Sequence, residues 1–154
     1  MSEFYWVIPG LLAGRRKAGL LSDLEEMWEV GLRTIVSLVR VNSAAIQAAG
    51  FQHYHVPMTG FAFFDGLRFR LVREMLTVVD IVATELAAGR PTLVHCRAGK
   101  DRTGAVFAGY LIRYHGLSSD EAFRQVRQVN PRAMTMMGFD RLPMMYETWI
   151  MSGK

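Results

Sequence analysis

The stretch "VHCRAGKDRTG", Val94 to Gly104, holds the only cysteine of a 154-residue chain. "TLVH" (92–95) leads into it and is too short to be anything but a strand. The apolar pattern of residues 103–115, ended by Gly116, predicts a helix on the far side. A loop that turns straight from strand into helix points several backbone N–H groups at one place, and the helix dipole adds partial positive charge there. Gly99 and Gly104 let the backbone come close. A dianionic phosphate is the natural occupant, held by Arg97, Ala98, Gly99, Lys100, Asp101 and Arg102.

Working outward, the rest of the chain alternates strands and helices. "FYWV" and "GLLAG" flank a turn at Pro9-Gly10, and an amphipathic helix started by Ser22 spans Leu21 to Val30. A strand over Thr34 to Val39, a short helix over Ser43 to Ala49 and a strand at "FQHYHV" follow. The Gly- and Phe-rich loop "PMTGFAFFDG" precedes a long helix from Leu67 to Ala88, stopped by Gly89 and Pro91. Ser118 and Glu121 form a capping box for a helix ending at Asn130-Pro131, and a last helix covers Phe139 to Met151. The expected fold is α/β: a central, mostly parallel sheet flanked by helices, with residues 1–154 as one domain. In such sheets ligands sit at the carboxyl ends of strands, where the quoted loop lies.

Composition narrows the function. A lone cysteine forbids an internal disulfide and implies a reducing compartment. No targeting segment is convincing, because the apolar start is broken by Pro9-Gly10 and preceded by Glu3, so a cytoplasmic location is expected. No apolar run reaches the roughly 20 residues of a bilayer span, which argues against stable membrane insertion. The net charge of +4 and pI near 9.6 favour anionic partners. The cations do not alternate with aromatics along a stripe, which argues against nucleic acid. A monomer is expected. No cluster has metal-ligand spacing, and neither metal nor cofactor is called for.

The chemistry follows from the loop. Its field favours a thiolate at Cys96, a nucleophile for in-line attack on phosphorus that gives a phosphocysteine for water to hydrolyse. Arg102 grips two phosphate oxygens through its planar fork, more strongly as charge develops. Thr103 is placed to donate a hydrogen bond to the sulfur, and His95 to hold the loop's geometry.

The run His95-Cys96-Arg97-Ala98-Gly99-Lys100-Asp101-Arg102-Thr103-Gly104 resembles the Cys-x5-Arg-Ser/Thr signature of the cysteine-dependent protein tyrosine phosphatase superfamily. "FYWVIPGLLAG" and "GLRTIVSL" resemble the opening strands of its small atypical dual-specificity members, and the short length fits them. The resemblance implies a metal-independent phosphomonoesterase acting on phosphotyrosine or mixed phosphoprotein substrates, or on a small phosphomonoester. A phosphoinositide or inositol phosphate phosphatase built on the same loop is the alternative. A phosphate-binding module without turnover and a persulfide-transferring enzyme fit Arg102-Thr103 and both candidate acids less well.

The leaving oxygen needs a proton. The family places an aspartate on a separate loop about 30 residues before the cysteine, and Asp65 lies 31 before Cys96. Small dual-specificity members often carry it just after the apolar-proline pair, where this chain has Met58 following Val56-Pro57. Asp101 is the rival; it occupies the position where myotubularin and Sac-type phosphatases carry an aspartate on the phosphate loop itself. Lys100 sits where lipid phosphatases of the superfamily carry a lysine. Among Phe61, Phe63 and Phe64 at least one is expected in the core, and Arg15-Arg16-Lys17 read as a solvated turn. The six methionines between Met134 and Met151 read as core filling beneath the last helix.

Overall fold

The computed structural model describes residues 4–153. Five strands form one sheet in the order β1-β2-β5-β3-β4. They are β1 (Phe4–Ile8), β2 (Leu12–Arg16), β3 (Thr34–Ser37), β4 (Gln52–His55) and β5 (Thr92–Cys96). Only β1 runs antiparallel to its neighbour; the other pairings are parallel. The helices are α1 (Leu24–Glu29), α2 (Ser43–Ala48), α3 (Asp65–Ala87), α4 (Arg102–His115), α5 (Ser119–Val129) and α6 (Leu142–Met151).

Because side chains alternate along a strand, each central strand feeds two cores. Leu12, Val36 and Val94 meet one, with Val79, Phe107 and Tyr146; Ala13, Ile35 and Leu93 meet the other, with Met27 and Ile46. Burying each large apolar side chain contributes about 1.5–3 kcal/mol. The sandwich fixes β5 at the middle of the sheet, so Cys96 emerges at its carboxyl end directly under α4. Among the described residues no helix is long and apolar enough to cross a membrane.

Several local expectations change. Arg15 does not belong to a solvated turn: β2 continues through it, and the residue is 1% exposed. A buried guanidinium needs partners, and it donates to Asp23 Oδ2 at 2.9 Å, to the Ala18 carbonyl at 2.8 Å and to the Arg16 carbonyl at 2.9 Å. With Asp23 so engaged, the expected helix from Leu21 opens instead as a single 3-10 turn, and α1 starts at Leu24 without a side-chain cap; Ser22 does not start it. The last helix likewise begins with a 3-10 turn over Phe139–Arg141. Phe61, Phe63 and Phe64 are all exposed, and only Met134 of the six late methionines is fully buried, with Met136, Met137, Met144 and Met151 facing solvent. The capping box of Ser118 and Glu121 forms as expected.

Candidate active site

Cys96 is the last residue of β5, 2% exposed, and α4 begins at Arg102. The loop between them has a definite polarity. Its carbonyls are held from outside: Arg97 O by Lys17 N at 3.1 Å, and Lys100 O by Gly104 N at 3.2 Å and Met134 N at 3.1 Å. Gly99 O accepts from the Tyr5 hydroxyl at 2.6 Å and from Asn130 Nδ2 at 3.3 Å. None of the amides of residues 97–103, by contrast, donates to a described residue. Consecutive unclaimed N–H groups at a helix start, beside a sulfur, form an anion cradle.

Gly99 makes this possible. Its φ is +73°, and a Cβ there would meet the β2 backbone, 2.5 Å from Arg15 O and 2.6 Å from Arg16 N. The loop is therefore seated directly on β2. Burial pushes the Tyr5 phenol well above the usual range, so it stays a neutral donor, against a smaller opposing effect from Asn130.

Arg102 extends to the 58–60 segment, where Nη1 donates to Met58 O at 3.3 Å and the guanidinium packs against Gly60. His95 is fully buried, and its Nε2 shares a 2.6 Å hydrogen bond with Ser37 Oγ, its register partner on β3. Ser37 Oγ meets His53 Nε2 at 2.8 Å, and His53 Nδ1 meets Ser43 Oγ at 2.7 Å. Burial pushes the His95 imidazole down to about 4. The Cys96 backbone pulls the other way more weakly, and Nδ1 has no hydrogen-bond partner among the described residues. Thr103 Oγ1 is buried and makes no hydrogen bond to Cys96 or any other described residue.

The two candidate acids occupy different settings. Asp101 is 7% exposed and both oxygens are engaged. Oδ1 accepts from Thr135 N at 3.0 Å and Met136 N at 3.2 Å, and Oδ2 from Lys100 Nζ at 2.7 Å. Asp65 is the first residue of α3, with its side chain 78% exposed and Oδ1 accepting from Arg68 Nη2 at 2.6 Å. It borders a groove with Phe69 and Met144, apart from the cleft beside the loop. The 57–64 segment before it is anchored by Glu74 at Thr59 N (2.8 Å) and by Arg68 at Ala62 O (2.9 Å).

Sequence reasoning missed Tyr5, Asn130, Ser37 and Arg15 as supports of the loop. Only Ser37 left a trace, since an in-register parallel pairing of "TIVS" with "TLVH" puts Ser37 beside His95.

A buried thiol at a strand end, a run of unclaimed amides after it and an arginine at the start of the following helix are the parts of a cysteine-dependent phosphatase. Residues 18–148 match the family model described as "Dual specificity phosphatase, catalytic domain", and the chain belongs to that family. Human Dual specificity phosphatase 28 is 29% identical over 133 residues, covering 86% of this chain and 71% of that protein. An Arabidopsis thaliana phosphatidylglycerophosphate phosphatase, PTPMT1, is 23% identical over 136 residues, 86% of this chain but only 40% of its own length. Among solved structures, human DUSP28 superposes with a TM-score of 0.80 at 25% identity, over 98% of this chain and 97% of that one. PTPMT1 in complex with PI(5)P shares the fold at a TM-score of 0.78 and 14% identity, over 99% of each chain.

Proposed function

We propose that the protein hydrolyses phosphomonoesters through a phosphocysteine at Cys96. The unclaimed amides of residues 97–103 carry this reading, because they favour negative charge on the sulfur and on the equatorial oxygens of a phosphate. The thiolate attacks phosphorus in line; the P–S bond forms as the ester P–O bond breaks, and the leaving oxygen takes a proton from Asp65. Water then attacks phosphorus and gives its proton to the Asp65 carboxylate. The P–S bond breaks, and its electron pair returns to sulfur.

In this assignment Arg102 binds the transferring phosphoryl group, and Thr103 supplies its unclaimed hydroxyl to the departing sulfur. Among the described residues only Arg68 pairs with the Asp65 carboxylate, at Oδ1, and Asp65 follows the 57–64 segment whose residues 58–60 meet Arg102. Its use as the acid requires the Arg68 pair to open and the side chain, which lines a separate groove, to turn toward the loop. Asp101 is a positioning residue, holding the 134–136 segment and Lys100 against the loop. Arg97, Ala98, Gly99 and Lys100 complete the phosphate seat, and His95 pins the strand end to β3. A nucleophile that must stay reduced, in a chain with no second cysteine, suits the cytoplasm.

Phosphoproteins are the first substrate reading. A phosphoinositide or inositol phosphate is the second, supported by the cationic cleft beside the loop. A pH–rate profile on an aryl phosphate, for wild type, Asp65→Asn, Asp101→Asn and Cys96→Ser, tests the assignment. Cys96→Ser should abolish turnover, and Asp65→Asn should flatten the basic limb and cost about 10²–10⁴-fold. A flattened limb in Asp101→Asn alone would move the acid to the loop.

A further inference from the structure

Beside the phosphate loop lies a cleft of about 1170 Å³. Its walls come from four segments: the end of β2 and the residues after it, the β3–α2 connection, the loop itself and the exit of α5. Among the described residues the lining carries six basic side chains, Arg16, Lys17, Arg40, Arg97, Lys100 and Arg132, and no acidic one. Lys100 is neutralised by Asp101. None of Lys17, Arg40, Arg97 and Arg132 forms an ion pair with a described residue. Lys17, Arg40, Arg97 and Arg132 are all exposed, and exposed like charges sharing one cleft raise its potential for anions. The reacting phosphate alone does not account for them, because the amide cradle and Arg102 already serve it.

We infer that this cleft is a second-phosphate subsite, with Arg40, Arg132 and Lys17 as its grips, for a compact headgroup carrying more than one phosphate. This rests on the hydrolase reading and argues for the second of its two substrate classes. Two observations favour a small phosphorylated ring over a doubly phosphorylated peptide. The charges come from four separate segments of the chain that line one cleft. The lining between them is apolar (Ala18, Leu20, Val41, Ala98), which suits a ring with C–H faces and an anionic edge. Arginine forks from different segments can each take two oxygens of one phosphate. Asn130 couples the subsite to the cradle, since it lines the cleft and also holds Gly99 O.

The test compares kcat/KM for soluble inositol bisphosphates, an inositol monophosphate, short-chain phosphoinositides, a doubly phosphorylated peptide and an aryl phosphate. Wild type, Arg40→Gln, Arg132→Gln and Lys17→Gln are measured at two salt concentrations. Wild type should prefer bisphosphate to monophosphate headgroups by at least about tenfold. Each arginine substitution should cut that ratio by about tenfold, equivalent to about 1.4 kcal/mol, and salt should lower it. Equal use of soluble and lipid-linked bisphosphates assigns recognition to the headgroup; faster use of the lipid adds the acyl chains, with the same dependence on Arg40 and Arg132. A ratio near one, a ratio untouched by both arginine variants, or a preference confined to the peptide overturns the inference while leaving the hydrolase intact. Titration calorimetry with Cys96→Ser separates the two readings. If wild type hydrolyses no phosphomonoester but Cys96→Ser binds inositol bisphosphate in an Arg40- and Arg132-dependent way, the hydrolase reading fails and the subsite stands.

Discussion

Replacing Gly99 with alanine should damage both the fold and the chemistry. At φ +73° an L-residue is strained, by about 1–2 kcal/mol. The added Cβ would also stand 2.5 Å from Arg15 O and 2.6 Å from Arg16 N, both backbone atoms of a buried strand that cannot turn away. Forcing a methyl into packed surroundings costs a further 1–3 kcal/mol or so. The sum is a loss of about 2–5 kcal/mol, which for a chain of this size lowers Tm by roughly 4–20 °C. Relief requires the loop to lift off β2, which strains the Tyr5 and Asn130 hydrogen bonds to Gly99 O and moves the amides relative to Cys96. A displacement of about 1 Å at a reacting centre costs on the order of 10²-fold in rate. Gly10→Ala is the control: its φ is +75°, but nothing lies within 4 Å of its Cβ. It should show the conformational cost alone and keep its rate. Thermal unfolding and aryl phosphate turnover read both effects. If Gly99→Ala has the melting point and rate of Gly10→Ala, the loop is not seated on β2 as described.

Other expectations follow from buried polar groups. His95 sits below its ordinary value of 6.5, at about 4, so the folded protein binds fewer protons there than the unfolded chain. Stability from this site is intact above pH 6.5 and falls as pH drops through that value toward 4, by up to about 3 kcal/mol. Urea unfolding at pH 7 and 4.5 should show the loss, and His95→Gln should reduce it; equal losses in both proteins would contradict the assignment. Glu85 is buried and accepts from Arg90, Thr34 and Tyr54, and the Arg90 hydrogen bonds above all hold its carboxyl down to about 2. Its share of stability should persist to about pH 4.5 and disappear toward pH 2. Glu85→Ala should cost about 1–3 kcal/mol by chemical denaturation, because it leaves the buried Thr34 hydroxyl without its acceptor, and a cost under about 0.5 kcal/mol would refute the shared role. Peroxide should inactivate the enzyme with only partial recovery by thiols, because no second cysteine can form a protective disulfide; full recovery after prolonged exposure would count against this.

The sequence made the phosphate loop legible because its chemistry is local: strand, glycines, cysteine and arginine lie within a dozen residues. The alternation of strands and helices likewise announced the mostly parallel sheet. What stayed hidden was set by long-range contact. Nothing in "FYWV" marks Tyr5 as the donor to Gly99 O, ninety-four residues away. Arg15 looked like a solvated cation because its partners, Asp23 and two carbonyls, exist only once the chain after β2 folds back. The three phenylalanines of the 57–66 segment looked part-buried by composition, but backbone anchoring by Glu74 and Arg68 holds that segment without them. Asp101 reads from sequence as a rival acid; two of its three hydrogen-bond donors, Thr135 N and Met136 N, come from a segment that only folding brings to it.

The proposed hydrolysis requires the Cys96 sulfur to become bonded to phosphorus. Wild type mixed briefly with an aryl phosphate, quenched in acid and digested for mass spectrometry should carry one phosphoryl group on the peptide containing Cys96, in amounts that rise in Asp65→Asn if breakdown is slowed. Turnover with no phosphorylated Cys96 at any quench time, or with the label on another residue, would contradict it.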